Sequence, residues 1–319
     1  MELFNTHGGK SADAPKQSSN NLRPIMKNLA AKLAIPQLPK SAMFWTGIGI
    51  LLFFIVVAVL GPLFIHGDPN AFSNESLAAP SLQHLLGTTL TGQDVFSQLV
   101  IGTKLTLLSG FVAGIIATTL SVIMGLVSGY LGGWADDILS LITNIFLVIP
   151  GAPLAIVLSS YVPNTSVWPI VIIVGLTNWA WGARVLRSQT LTMRDRDFIQ
   201  ASKLGGENNF RIIFFDIMPN LIAIVASSFI FTTIYAILTE IGLAFLGLGN
   251  ILAVSWGNML YWAQNSGTLL SAWWWFLPPG LCVALLGSSL AFINFGLDTI
   301  VNPKLSIVKP KKRGKKAAE

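Results

Sequence analysis

The sequence predicts an all-α integral membrane protein with six transmembrane helices, and three observations carry that prediction. Hydrophobic residues make up 53% of the 319-residue chain and charged residues only 11%, less than half the roughly 25% of an ordinary soluble domain. The mean hydropathy is +0.66, and the apolar residues gather in runs near the ~20 helical residues that cross a ~30 Å hydrocarbon core. The 20 Lys and Arg residues fall in blocks between those runs.

The elements follow in chain order. Residues 1–41 form a polar cytoplasmic segment, in which Asn5–Asn21 is rich in Ser, Asn, Gly and Lys and is expected to be disordered. Its string ending Lys10-Ser11 mimics a P-loop, but Phe4 stands where the first glycine belongs and no strand precedes it, so no nucleotide site is expected there. The apolar region, 42–303, begins with a span at Ala42–Ile65, too long and too far along the chain for a cleaved signal. An outer loop, 67–103, carries Asp68, Glu75 and Asp94 and no basic residue before Lys104. Further spans are expected at Leu105–Leu131, Ile138–Tyr161, Val167–Leu186, Leu221–Gly247 and Phe276–Ile300, separated by a large inner loop at 187–219 and closed by a basic tail at 304–319.

Charge placement sets the orientation. Six basic residues lie in 1–40, six between Arg184 and Arg211, seven between Lys304 and Lys316, and Lys104 stands apart. With both termini inside, six spans put all but Lys104 in the cytoplasm, as the positive-inside bias requires. The net charge of +6 is therefore a topology signal facing lipid and cytoplasm, and no nucleic-acid partner is expected.

Several features are read with their plainer explanations. Gly110, Gly114, Gly125, Gly129 and Gly133 contain three Gly-x-x-x-Gly spacings, read first as packing within the chain and second as a dimer face. Pro150 and Pro153 are expected to kink the third span. Trp45, Trp134, Trp168 and Trp273-Trp274-Trp275 fall near span ends and suit interfacial anchoring. His66 and His84 read as ordinary loop residues. The only acidic groups expected inside spans are Glu240 and Asp298, both near segment ends, and no inverted repeat is seen, which argues against an ion-coupled carrier or channel. The lone cysteine, Cys282, excludes a disulfide framework and a Cys-based metal site. No catalytic set of paired acids or nucleophile and base is present, and no metal site is expected.

The inner loop is the informative segment. Phe198, Ile199 and Leu204 offer a short helix an apolar side, Arg194, Asp195, Arg196, Asp197 and Lys203 keep it wet, and Gly205-Gly206 ends it. Phe210–Met218 is apolar again before Pro219. This reads as a helix–turn–helix on the cytoplasmic face with a small-residue surface, and by pattern alone it serves equally as a connector or as a partner surface.

The run Gln200-Ala201-Ser202-Lys203-Leu204-Gly205-Gly206, followed by Ile217 and Pro219, resembles the EAA loop of ABC importer permeases. Gln200 stands where that family usually has Glu, and Ser202 where it has Ala. Leu86–Ser97, with Gln93 for the usual Arg, is similar to the outer-loop signature of the dipeptide, oligopeptide and nickel permease subfamily. Gly129–Asp136 leading to Ile149-Pro150, and Glu240–Gly249 followed by Ser255–Met259, resemble it too, and their order is that of the "C"-type subunit. The resemblance implies a type I importer permease fold in a bacterial or archaeal inner or plasma membrane. It implies a coupling helix at Phe198, Gln200, Ala201, Ser202, Lys203, Leu204, Gly205 and Gly206. It implies as partners a second homologous permease subunit, two ATP-binding subunits and an extracytoplasmic solute-binding protein, which segments 67–103 and 250–275 are candidates to touch. This chain would be non-catalytic and bind no cofactor, ATP and Mg being held by the partner subunits. Peptides are the implied cargo, with oligosaccharides or nickel as alternatives; the residues lining the path are not assigned.

Overall fold

The computed structural model describes residues 41–65, 68–162 and 166–301, with side chains as far as 297. The N-terminal segment with its P-loop-like string, His66, the side chain of Asp298 and the basic tail lie outside the described residues.

Ten helices organise the described chain: α1 (Ala42–Phe64), α2 (Val95–Leu131), α3 (Gly133–Val148), α4 (Gly151–Ser160), α5 (Trp168–Thr177), α6 (Ala180–Arg194), α7 (Asp197–Leu204), α8 (Met218–Phe245), α9 (Trp256–Asn265) and α10 (Trp273–Val301). A short turn at Asn209–Arg211 and a π-helical stretch at Ile212–Ile217 lead into α8. Five helical stretches are long and apolar enough to cross a membrane, and the pair α3 and α4, bent by 84°, makes a sixth span if it is one. Among the described residues no strand forms, and Thr88 and Asp94 make an isolated bridge.

Three boundaries differ from the sequence expectation for physical reasons. The second span starts at Val95, so Lys104 lies within a helix of 37 residues. Asp94 starts it, its carboxylate accepting from the Ser97 amide at 2.8 Å, the usual N-cap bond. Polar residues of the first turns are held there by the loop, as where Gln98 Nε2 donates to Gln93 Oε1 at 3.0 Å. The third span is broken outright: Ile149 is extended and Pro150 caps the next helix, as expected where proline removes a helical donor and pushes its predecessor out of the α region. Phe210–Met218 is no separate surface helix. It runs on into α8, and the polar break lies earlier, at Gly205-Gly206.

Helix α2 is the centre of the fold, and its glycines show why. A methyl at Gly110 or Gly114 would collide with Ile237 or Thr233 of α8. One at Gly125 would sit 2.6 Å from the Ala183 carbonyl of α6, and one at Gly129 2.7 Å from Thr190 Cβ. The two glycine pairs thus seat two different helices of the same chain, the close approach that small residues permit in lipid. Between them Ser121 Oγ donates to the Trp179 carbonyl at 2.6 Å.

The segment 68–94 folds as a cap over the ends of α2 and α10. Thr88 Oγ1 donates to the Glu75 carbonyl at 2.5 Å and accepts from the Ala78 amide at 2.8 Å. Trp274 Nε1 donates to the Thr88 carbonyl at 3.2 Å. His84 is more than a plain loop residue: Nδ1 lies 3.0 Å from Asp94 Oδ1 and Nε2 3.4 Å from Glu75 Oε2. The tryptophans divide likewise. Trp45, Trp134, Trp168 and Trp273 are exposed, whereas Trp275 is buried and Trp256 wholly so. The indole of Trp256 donates to the Leu99 carbonyl at 3.1 Å, so Trp256 is a core anchor packed on Phe54, their ring centroids 5.3 Å apart.

Candidate functional site

The eight residues singled out in the sequence come together on and just after α7. Arg196 is extended and its carbonyl takes the first helical bonds, from Ile199 N at 3.0 Å and Gln200 N at 3.1 Å. At the other end Gly206 has φ +78°. The Gly206 amide donates to the Lys203 carbonyl at 3.1 Å, and the Glu207 amide to the Ser202 carbonyl at 3.2 Å. These two bonds are a Schellman closure, which needs a left-handed residue after the cap and so selects glycine. Asn208 then restarts the helix, its side chain accepting from the Arg211 amide at 2.7 Å.

The face that α7 turns to the rest of the chain is narrow. Ile199 alone of its residues is buried. It joins Leu126 and Tyr130 of α2, Leu186 of α6, and Ile212 and Ile217 in one apolar cluster. Lys203 lies with its ammonium 5.0 Å from the centroid of the Tyr130 ring, a cation–π contact, instead of standing free in water. Phe198 and Leu204 do not share the inward face: they are 45% and 90% exposed, and Gln200, Ala201, Gly205 and Gly206 are exposed beside them. Positions 197, 198, 201 and 204 recur at helical spacing, so the exposed side is one contiguous strip that opens on Asp197 and continues through Phe198, Ala201 and Leu204. Gln200 Nε2 donates to the Arg194 carbonyl at 3.2 Å; its amide is used inside the turn.

Sequence reasoning missed the supports of this hairpin. Tyr130 caps the cluster and its hydroxyl donates to Asn209 Oδ1 at 3.5 Å. Arg187 forks onto Asp136, with Nε to Oδ1 and Nη2 to Oδ2 both at 2.7 Å. The spacing of Arg184, Arg187 and Arg194 along one helix side was the available signal. On the opposite end of the molecule the two segments expected to meet an external partner line one cavity of about 730 Å³, with Asp68, Phe72 and Gln93 on one side and Leu252, Trp262 and Asn265 on the other. Glu240 is buried beside a far smaller cavity, of about 10 Å³, shared with Ile170, Leu248 and Asn258. Among the described residues no group of three His, Cys, Asp or Glu is placed to hold a metal ion.

A bundle of apolar helices around a glycine-lined central helix, with a capped helical hairpin standing clear at one end, defines a polytopic membrane transport component. Comparison with known proteins makes the class specific. The family of binding-protein-dependent transport system inner membrane components matches residues 117–307. A dipeptide transport system permease protein, DppC, of Alkalihalophilus pseudofirmus is 35% identical over 277 residues, covering 85% of this chain and 89% of that protein. A putative peptide transport system permease protein of Brucella suis biovar 1 is 30% identical over 280 residues, covering 86% and 92%. The chain belongs to the binding-protein-dependent transport system inner membrane component family; it is a multi-pass inner-membrane permease of the ABC importer type with the type I fold.

Proposed function

We propose that this permease carries peptides, as one of two membrane subunits of an importer, and that α7 is the element through which partner ATPases move it. The exposed strip of α7 carries this reading. Phe198 and Leu204 are large apolar side chains left outside on a helix whose ends are both fixed, and an exposed apolar patch of this kind marks a contact surface. Ala201 and Gly205 keep the strip flat enough for a cleft to receive it. The exposed hairpin and the positive-inside bias together support cytoplasmic termini. The 730 Å³ cavity between 68–98 and 251–275 supports an external face where a solute-binding protein delivers its cargo.

In this reading ATP and Mg sit on two ATP-binding subunits, this chain binds no cofactor, and it performs no chemistry. Closure of the ATPases moves α7, and the helices joined to it switch the pathway formed with a second homologous permease. The peptide cargo rests on the printed names of the relatives above. Oligosaccharide and nickel uptake are the competing outcomes of the same test.

The test co-expresses the chain with a second permease, the ATP-binding subunits and the solute-binding protein of the proposed importer. Ala201→Trp should abolish co-purification of the ATPase subunits while membrane insertion is kept, and Thr192→Trp, outside the strip, should leave it intact. Normal co-purification with Ala201→Trp would refute the role of α7. Uptake of labelled tri-alanine, maltotriose and Ni²⁺ into vesicles holding the full complex decides the cargo: tri-alanine uptake supports the proposal, and uptake of either other solute alone overturns it.

A further inference from the structure

Helix α6 runs into α7 with only Asp195 and Arg196 between them. Its three arginines each reach a neighbour. Arg184 Nη2 donates to Asn144 Oδ1 of α3 at 2.9 Å, Arg187 forks onto Asp136 of α3, and Arg194 Nη1 donates to the Gly129 carbonyl of α2 at 3.4 Å. Spaced by three and by seven residues, they fall on one side of the helix.

The fork is the strongest of the three. Asp136 Oδ1 takes a further bond from Ser140 Oγ at 2.8 Å, so three donors hold the carboxylate, whose side chain is only 15% exposed. A bidentate guanidinium–carboxylate pair fixes angle as well as distance, which a lysine at the same place would not. Asp136 lies in the first turn of α3. Asn144 lies farther along, and Phe146 meets Trp179 just before α6 with ring centroids 5.2 Å apart. These ties follow α3 to its end at Val148, where the chain bends by 84° into α4. Helix α3 buries little else, Thr143 being its one buried residue.

The geometry points to the Arg187–Asp136 fork as a positioning device that makes α3 and α6 move as one body, so that displacement of α7 is delivered to the bend at Ile149-Pro150 and on to α4. This rests on the reading of α7 as the coupling element. Neither residue touches solute; both act through the helices they lock together.

The experiment uses the whole complex in lipid nanodiscs, with Cys282→Ser and other cysteines removed. Spin labels are placed at Asp195, exposed just before α7 and outside the strip, and Ser288 in one sample and at Ser160 and Ser288 in another. Trapping with ATP and vanadate should shift both distances in the parent. In Arg187→Gln the shift at Asp195 should persist while that at Ser160 falls below a fifth of its parent value. Arg187→Lys, which keeps the charge and loses the fork, should at least halve it. Asp136→Asn should match Arg187→Gln, with the double variant no worse, since the two act as one unit. An unchanged shift at Ser160 in Arg187→Gln overturns the proposal. If Arg187→Gln fails to assemble, a full shift at Ser160 in Arg187→Lys overturns it, and a halved one supports it. A pair that serves stability alone would lower the yield of complex and leave the ratio of the two shifts unmoved. No shift at Asp195 in the parent would refute the coupling role of α7 itself, and this inference with it.

Discussion

The ammonium of Lys203 rests over the ring of Tyr130, 5.0 Å from its centroid, and the hydroxyl of the same tyrosine donates to Asn209. One side chain from the end of α2 thus holds both arms of the hairpin, before and after the turn at Gly205-Gly206.

Tyr130→Ala should therefore loosen α7 without unfolding the bundle. It removes the cation–π contact, about 0.5–1 kcal/mol at an exposed lysine, and opens a cavity beside Ile199, which for a large aromatic costs about 3–5 kcal/mol. Hydrogen exchange over 197–207 should accelerate by more than tenfold. Tyr130→Phe keeps the ring and loses one long hydrogen bond, so exchange there should change by less than about threefold. Equal acceleration in the two variants would disprove the role given to the ring.

Gly206 and Gly205 should respond oppositely to the same substitution. Gly206 is left-handed at φ +78°, where an L-residue costs about 1–2 kcal/mol, although nothing near it would obstruct a methyl. Gly205 has φ −72°, and a methyl there meets the Ala201 carbonyl at an ordinary 3.4 Å. Gly206→Ala should break the Schellman closure and speed exchange of the Glu207 amide, while Gly205→Ala leaves it protected. Exchange rates of that single amide in the two variants decide the matter.

The glycines of the bundle divide in the same way, by contact alone. Gly125→Ala puts a methyl 2.6 Å from the Ala183 carbonyl and 2.8 Å from Leu186 Cβ. Such overpacking costs about 1–3 kcal/mol, and the thermal midpoint of the detergent-solubilised chain should fall. Gly287 of α10 has nothing within reach of a new methyl, so Gly287→Ala should be neutral or raise the midpoint by helix propensity, worth up to about 1 kcal/mol. Fluorescence-detected size exclusion after heating measures both.

Much of the fold was legible because its signals are local. An apolar run of span length declares itself regardless of its neighbours, and five of the six segments appear as helices near their expected places. Boundaries slipped where polar residues entered a helix: Gln98 belongs to α2, and Arg187 and Arg194 to α6, because partners elsewhere in the fold satisfy side chains that hydropathy counts as loop. The hairpin was legible for the same local reason, a glycine pair closing a short polar helix. Its inward face was not, since nothing in the string 197–204 says that Ile199 is buried while Phe198 stays outside.

The sequence by itself determined the solvent this chain lives in, the apolar runs that form its long helices and the place of its hairpin, because each follows from residues within a few turns of one another. Tertiary structure alone decided which glycines seat α6 and which seat α8, that Trp256 is a core residue, and that a topology-marking arginine is one half of a fork. Arg187 and Asp136 stand 51 positions apart, and the hydroxyl of Ser289 reaches the carbonyl of Gly47 across 242. Partners that distant are chosen by how helices pack, and packing is a property of the assembled bundle that no local pattern encodes.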